Sequence, residues 1–80
     1  MKINTLFFGI TTDLVGASEL QVEVGENSSI ADFKEALKVK FSELENINSY
    51  AIAVNEEYAT DDLVLNENDV VALIPPVSGG

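Results

Sequence analysis

Only one stretch of this chain carries apolar residues at helical spacing, and that limits the folds open to it. Ile30, Phe33, Leu37 and Phe41 recur three or four residues apart, with Ala36 beside them, while Lys34, Glu35 and Lys38 fall on the opposite side. The large apolar groups therefore share one stripe that has to be buried. Ser29 stands at the N-cap position, and Asp32 three residues later completes a capping-box-like pair. With 80 residues there is room for one small core. A lone helix laid across a sheet is the natural two-layer way to build it.

The remaining apolar segments read as strands. Residues 2–10 (KINTLFFGI) form the first, followed by a turn-like Thr11-Thr12-Asp13. Period-two alternation separates Ile3, Thr5 and Phe7 from Asn4, Leu6 and Phe8, so each face carries a phenylalanine. One face meets the core, leaving the other for a second layer or a partner. A turn at Val15-Gly16-Ala17 leads to a second strand, Leu20-Gln21-Val22-Glu23-Val24, which Gly25-Glu26-Asn27 ends. After the helix and a polar stretch over 43–49 come a third strand, residues 50–54, and a turn at Asn55-Glu56-Glu57. A short segment containing Tyr58 follows. Leu63-Val64-Leu65 is either a brief strand or a helical turn, and Asn66-Glu67-Asn68 turns the chain into a last strand over 69–74. The order β-β-α-β-(β)-β around one helix is that of an α+β, β-grasp (ubiquitin-like) mixed sheet. If the helix is a crossover, the strands it joins are parallel, and the continuously apolar last strand belongs in the centre beside the first.

What the chain lacks excludes whole classes of chemistry. Without cysteine or histidine it has no activated thiol, no usual general base and no disulfide framework. The adjacent acids Glu56-Glu57 and Asp61-Asp62 lie in polar stretches and are expected to be solvated rather than convergent, so neither a resident cofactor nor a metal is expected. Fourteen acidic residues against four lysines give a net charge of −10, which disfavours nucleic acid and anionic membranes and favours a basic protein partner. The N-terminal residues show no signal-peptide pattern and no run is long enough to span a membrane, so a cytoplasmic protein is expected.

The end of the sequence carries the functional signal: Ile74-Pro75-Pro76-Val77-Ser78-Gly79-Gly80. Proline has no N–H and stops the last strand, and successive prolines favour an extended form. The expected division is a body over 1–74 and a flexible Gly-Gly tail over 75–80, with a reach of about 20 Å at 3.3–3.6 Å per residue. Two glycines without Cβ atoms suit passage through a narrow channel. A terminal carboxylate is a poor acyl donor until activated, for instance by attack on the α-phosphate of ATP. The chain has no phosphate-binding loop, so a separate enzyme has to do this.

Several motifs together resemble the small subunit of molybdopterin synthase, the MoaD family of ubiquitin-like sulfur carriers. They are Leu6-Phe7-Phe8, Leu14-Val15-Gly16, Val54-Asn55 and the closing run from Asp69 through Pro-Pro-Val-Ser-Gly-Gly. The resemblance implies that Gly80, preceded by Gly79, is adenylated by an ATP-dependent adenylyltransferase and converted to a thiocarboxylate. The tail, with Pro75, Pro76, Val77 and Ser78, would then enter the large subunit's active site within a heterotetramer. There it would donate sulfur to precursor Z (cyclic pyranopterin monophosphate) to form the molybdopterin dithiolene. By the same resemblance, Phe8, Tyr58 and Ile74 match the apolar contact surface. The chain departs from the family where an arginine often follows the first strand, here Thr11-Thr12-Asp13, and where glycine often precedes the aspartate of the last turn, here Asn68-Asp69. Other readings remain open: a carrier for thiamin, tungsten cofactor or tRNA thiolation, a ubiquitin-like modifier joined to lysines, or an interaction domain with an inert tail.

Overall fold

The computed structural model describes residues 1–46 and 50–75. Strands β1 (Lys2–Phe7), β2 (Glu19–Glu23), β3 (Ala51–Val54), β4 (Glu57–Tyr58) and β5 (Val70–Ile74) form one sheet in the order β2-β1-β5-β3-β4. Helix α1 spans Ile10–Val15 and the main helix α2 spans Ile30–Lys40, with a 3-10 turn at Ser42–Asn46. β1 and β5 pair in parallel, and the other neighbouring pairs are antiparallel. β2 and β3, the strands that α2 joins, therefore run parallel, as a crossover requires. The last strand is central and lies beside the first, as its unbroken apolar sequence predicts.

Helix α2 forms where the spacing and cap residues place it. The Asp32 N–H donates to Ser29 Oγ at 3.2 Å, and the Ser29 N–H donates to Asp32 Oδ2 at 3.0 Å, so both halves of the capping box are made. Two further N–H groups of the first turn go to a distant loop, Ile30 to the Leu63 carbonyl (2.9 Å) and Ala31 to that of Asp61 (3.0 Å). Ile30, Phe33 and Leu37 are fully buried against Ile3, Phe7, Val22, Ile52, Val71 and Leu73 from four strands. The helix ends at Phe41, which leaves helical geometry and sets its ring edge-on to that of Phe7, with centroids 6.2 Å apart and planes at 78°. Ser29→Ala is expected to lower stability by about 1 kcal/mol, read as a shift of the urea midpoint without a change in slope. No change in midpoint would show that the loop carbonyls alone hold the helix start.

Three local expectations are corrected. β1 stops at Phe7 rather than residue 10, because Gly9 (φ 57°, ψ −135°) turns the chain and residues 10–15 become α1 instead of a turn through 11–13. Glu57 belongs to β4 rather than to the turn, which is made by Asn55 (φ 50°) and Glu56 (φ 74°) alone. Residues 63–65 form neither strand nor helical turn: Val64 makes one isolated bridge to Ser29. Part of the 43–49 stretch is the 3-10 turn, and residues 47–49 lie outside the described residues. Asn68 takes the left-handed conformation (φ 73°) that glycine would serve in the same turn, one of the few roles asparagine fills cheaply.

Candidate functional site

The sheet has one face in the core and one without a covering layer among the described residues. Register places Leu6, Ala72, Ala53 and Tyr58 side by side across β1, β5, β3 and β4, with Ile74 opposite Ala51 in the next row. This is the face opposite Ile3, Thr5, Phe7, Val71 and Leu73, and it is apolar along its middle. Phe8 is 48% exposed and Tyr58 77%, whereas Phe7 is 2% exposed. Two phenylalanines adjacent in sequence thus differ sharply in burial. Tyr58 and Ile74 belong to this side by register, and Phe8, one residue past the end of β1, is half exposed.

The tail leaves from the centre of the sheet. β5 ends at Ile74, and Pro75 has no N–H with which to extend the ladder. Pro75 passes directly over Gly9: a Cβ at residue 9 would lie 3.0 Å from Pro75 Cγ. Gly9 is held there by the threonines that follow it. The Phe8 N–H donates to Thr11 Oγ1 at 2.9 Å, Thr11 Oγ1 donates to the Phe8 carbonyl at 2.5 Å, and Thr12 Oγ1 donates to the Phe7 carbonyl at 3.1 Å. Thr11 is fully buried, so this turn is a fixed part of the body. The strand pattern gave no hint of Gly9 or Thr11. A glycine closing the apolar run and a threonine two residues later were the available signals. Pro76, Val77, Ser78, Gly79 and Gly80 lie outside the described residues.

The polar side chains buried among the described residues are Thr5 and Thr11. No three His, Cys, Asp or Glu side chains gather to hold an ion there. The Asp61 carboxylate pairs with Lys34 at 2.7 Å, and the Thr60 hydroxyl donates to Asp62, which lowers the pKa of that exposed carboxyl. Burial pushes the Tyr50 phenol above its ordinary value, with Asp61 and Glu35 adding to the effect. These groups shape a surface and do not converge on a reacting atom. Among the described residues no helix is long and apolar enough to cross a membrane. What the geometry presents is an uncovered apolar face beside the root of a chain end.

A mixed five-stranded sheet over one main helix, with the chain end rising from its central strand, defines a ubiquitin-like β-grasp domain. The chain belongs to the ThiS family, whose model matches residues 5–80. A molybdopterin synthase sulfur carrier subunit of Arabidopsis thaliana is 35% identical over 81 residues, covering 100% of this chain and 84% of that protein. Among solved structures, a putative molybdopterin converting factor, subunit 1, from Pyrococcus furiosus is 27% identical with a TM-score of 0.88, covering 96% of this chain and 99% of that one. A complex of subunits 1 and 2 of molybdopterin-converting factor from Helicobacter pylori contains a chain 25% identical with a TM-score of 0.70, each chain being covered completely. SAMP1 from Haloferax volcanii has a TM-score of 0.89 at 24% identity over both whole chains, a likeness of fold.

Proposed function

We propose that this chain is the sulfur-carrier subunit of molybdopterin synthase and that Gly80 is its working residue. The observation that carries the reading is the position of Pro75, which leaves the central strand over Gly9 at the edge of an uncovered apolar face. A partner seated on Phe8, Ile74 and Tyr58 would meet the root of the tail at the same time. The full-length similarity to a plant sulfur carrier supports the same assignment. In this role the Gly80 carboxylate attacks the α-phosphate of ATP on an activating enzyme, and pyrophosphate leaves. A sulfur nucleophile then displaces AMP to give a thiocarboxylate. The large subunit receives the tail and its sulfur passes to precursor Z, two such transfers completing the dithiolene. The carrier supplies reach and a docking face, and its partners supply the acids, bases and phosphate-binding groups it lacks.

Intact-mass measurement after incubation with a matching activating enzyme, ATP and a sulfur source tests this. The expected result is a mass gain equal to replacement of one oxygen by sulfur, located at Gly80 by fragmentation. An unchanged mass, with an enzyme shown to be active on another carrier, would sink the reading. The likeness of fold to an archaeal modifier gives a second reading, attachment through Gly80 to lysines of other proteins. Adducts of the intact chain on lysine side chains would favour it.

A further inference from the structure

At the opposite end of the sheet from the tail, the β3–β4 hairpin and the loop over 59–69 enclose a groove of about 460 Å³. Its apolar walls are Tyr58, Leu63 and Val64, the last two 42% and 49% exposed. The groove is already formed. The Asn55 N–H donates to the Val70 carbonyl (2.8 Å), the Val70 N–H donates to Asn55 Oδ1 (3.0 Å), and Asn55 Nδ2 donates to Asp69 Oδ1 (3.1 Å). On the other side, the Leu63 and Asp61 carbonyls are fastened to the first turn of α2. Little ordering is left to be done when something binds, which favours affinity.

We infer that this groove is a second contact point for the large synthase subunit, seating one aliphatic side chain flanked by lysine or arginine. The inference rests on the functional reading above. Two observations select the occupant. First, the groove is continuous with the outer face, because Tyr58 both lines it and ends the Leu6-Ala72-Ala53 row. From Ile74 back to Val70 is four residue steps, about 13 Å. A partner footprint of about 800 Å² that covers the root of the tail therefore extends naturally to the groove. Second, both charged residues of the lining are acidic, Glu57 and Asp69. Asp69 is committed to Asn55 and the Asn66 N–H, but the Glu57 carboxylate makes no hydrogen bond or ion pair among the described residues, and Glu56, outside the lining, precedes it at the hairpin tip. The lysine on this side, Lys34, is paired with Asp61. A second copy of a chain with net charge −10, or a nucleic acid, would be repelled.

The test uses the full-length chain and purified large subunit, with affinity measured by calorimetry at two salt concentrations. The double variant Leu63→Ser/Val64→Ser is expected to bind about tenfold or more weakly, with thiocarboxylation of Gly80 by the activating enzyme unchanged. Glu57→Lys, an exposed change at the sheet edge, is expected to weaken binding and reduce its salt dependence. Affinity within twofold of the wild type in the folded double variant overturns the inference. If that variant fails to fold, Glu57→Lys decides, and wild-type affinity and salt dependence then overturn it. A wild-type chain that does not bind the large subunit overturns the functional reading as well, whereas binding that ignores the groove substitutions overturns this inference alone.

Discussion

Deleting Gly80 is expected to abolish thiocarboxylate formation and sulfur transfer while leaving the thermal midpoint of the domain unchanged. Among the described residues the buried core runs from Ile3 to Leu73, and the proposed division assigns Gly80 to the tail. The chemistry has no such tolerance. Shortening an extended tail by one residue withdraws the carboxylate by about 3.5 Å, whereas reacting atoms have to approach within about 3–3.5 Å in a productive geometry. Adding one residue after Gly80 is expected to inactivate as completely, by moving the carboxylate past the site of activation. Mass spectrometry after the activation reaction reads the first effect, and a circular-dichroism melt reads the second. A shortened chain that still acquires sulfur would remove Gly80 from the mechanism. A shortened chain that no longer folds would contradict the division of body from tail.

Phe7→Ala and Phe8→Ala are expected to fail in opposite ways. Phe7 is buried under α2 and meets Phe41 edge-on, so its truncation is expected to cost about 3–5 kcal/mol. A domain of this size holds only about 4–12 kcal/mol in total, so Phe7→Ala leaves a marginal or unfolded protein. Phe8 is half exposed, and its truncation is expected to change stability by less than about 1 kcal/mol. Its loss is expected to appear in binding instead, as an affinity for the large subunit lower by about tenfold or more. Urea unfolding and calorimetric titration of both variants separate the outcomes. Equal effects of the two on stability would mean that Phe8 is part of the core, and an unchanged affinity in Phe8→Ala would take it out of the interface.

The two phenylalanines also mark how much the sequence reveals. Alternation along a strand is local, so the assignment of Phe7 and Phe8 to opposite faces is legible from spacing alone. So are α2, whose stripe and capping box agree, and β5, whose unbroken apolar run marks a central strand. Helix α1 is not legible. Its six residues include two threonines and an aspartate with no apolar stripe, and it exists because Gly9 turns the chain and Leu14 and Val15 reach the core. The 61–65 segment misleads for a related reason. Its carbonyls answer the unpaired N–H groups at the start of α2, about thirty residues away, a partner that no local pattern encodes. β4, with two residues, is too short for any period to be read. Of the candidate site, Phe8, Tyr58 and Ile74 come from the family resemblance, and the contact role proposed for Phe8 is what the titration of Phe8→Ala tests. The Gly9–Pro75 contact and the groove bring together distant parts of the chain and emerge only from the fold.

The parallel pairing of β1 with β5 has a consequence for the order of events during synthesis. Asn4 lies against Val70, so the first and last strands form the middle of the sheet, and closing so long a loop has to precede any gain from their contact. While the chain is still growing, β1 can pair only with β2 and β3 only with β4, and the two pairs have no strand to join them. The outer row in which Leu6 lies beside Ala72 does not exist until β5 has been made. A chain that stops short of β5 therefore lacks this outer face, whatever else of the sheet it has formed.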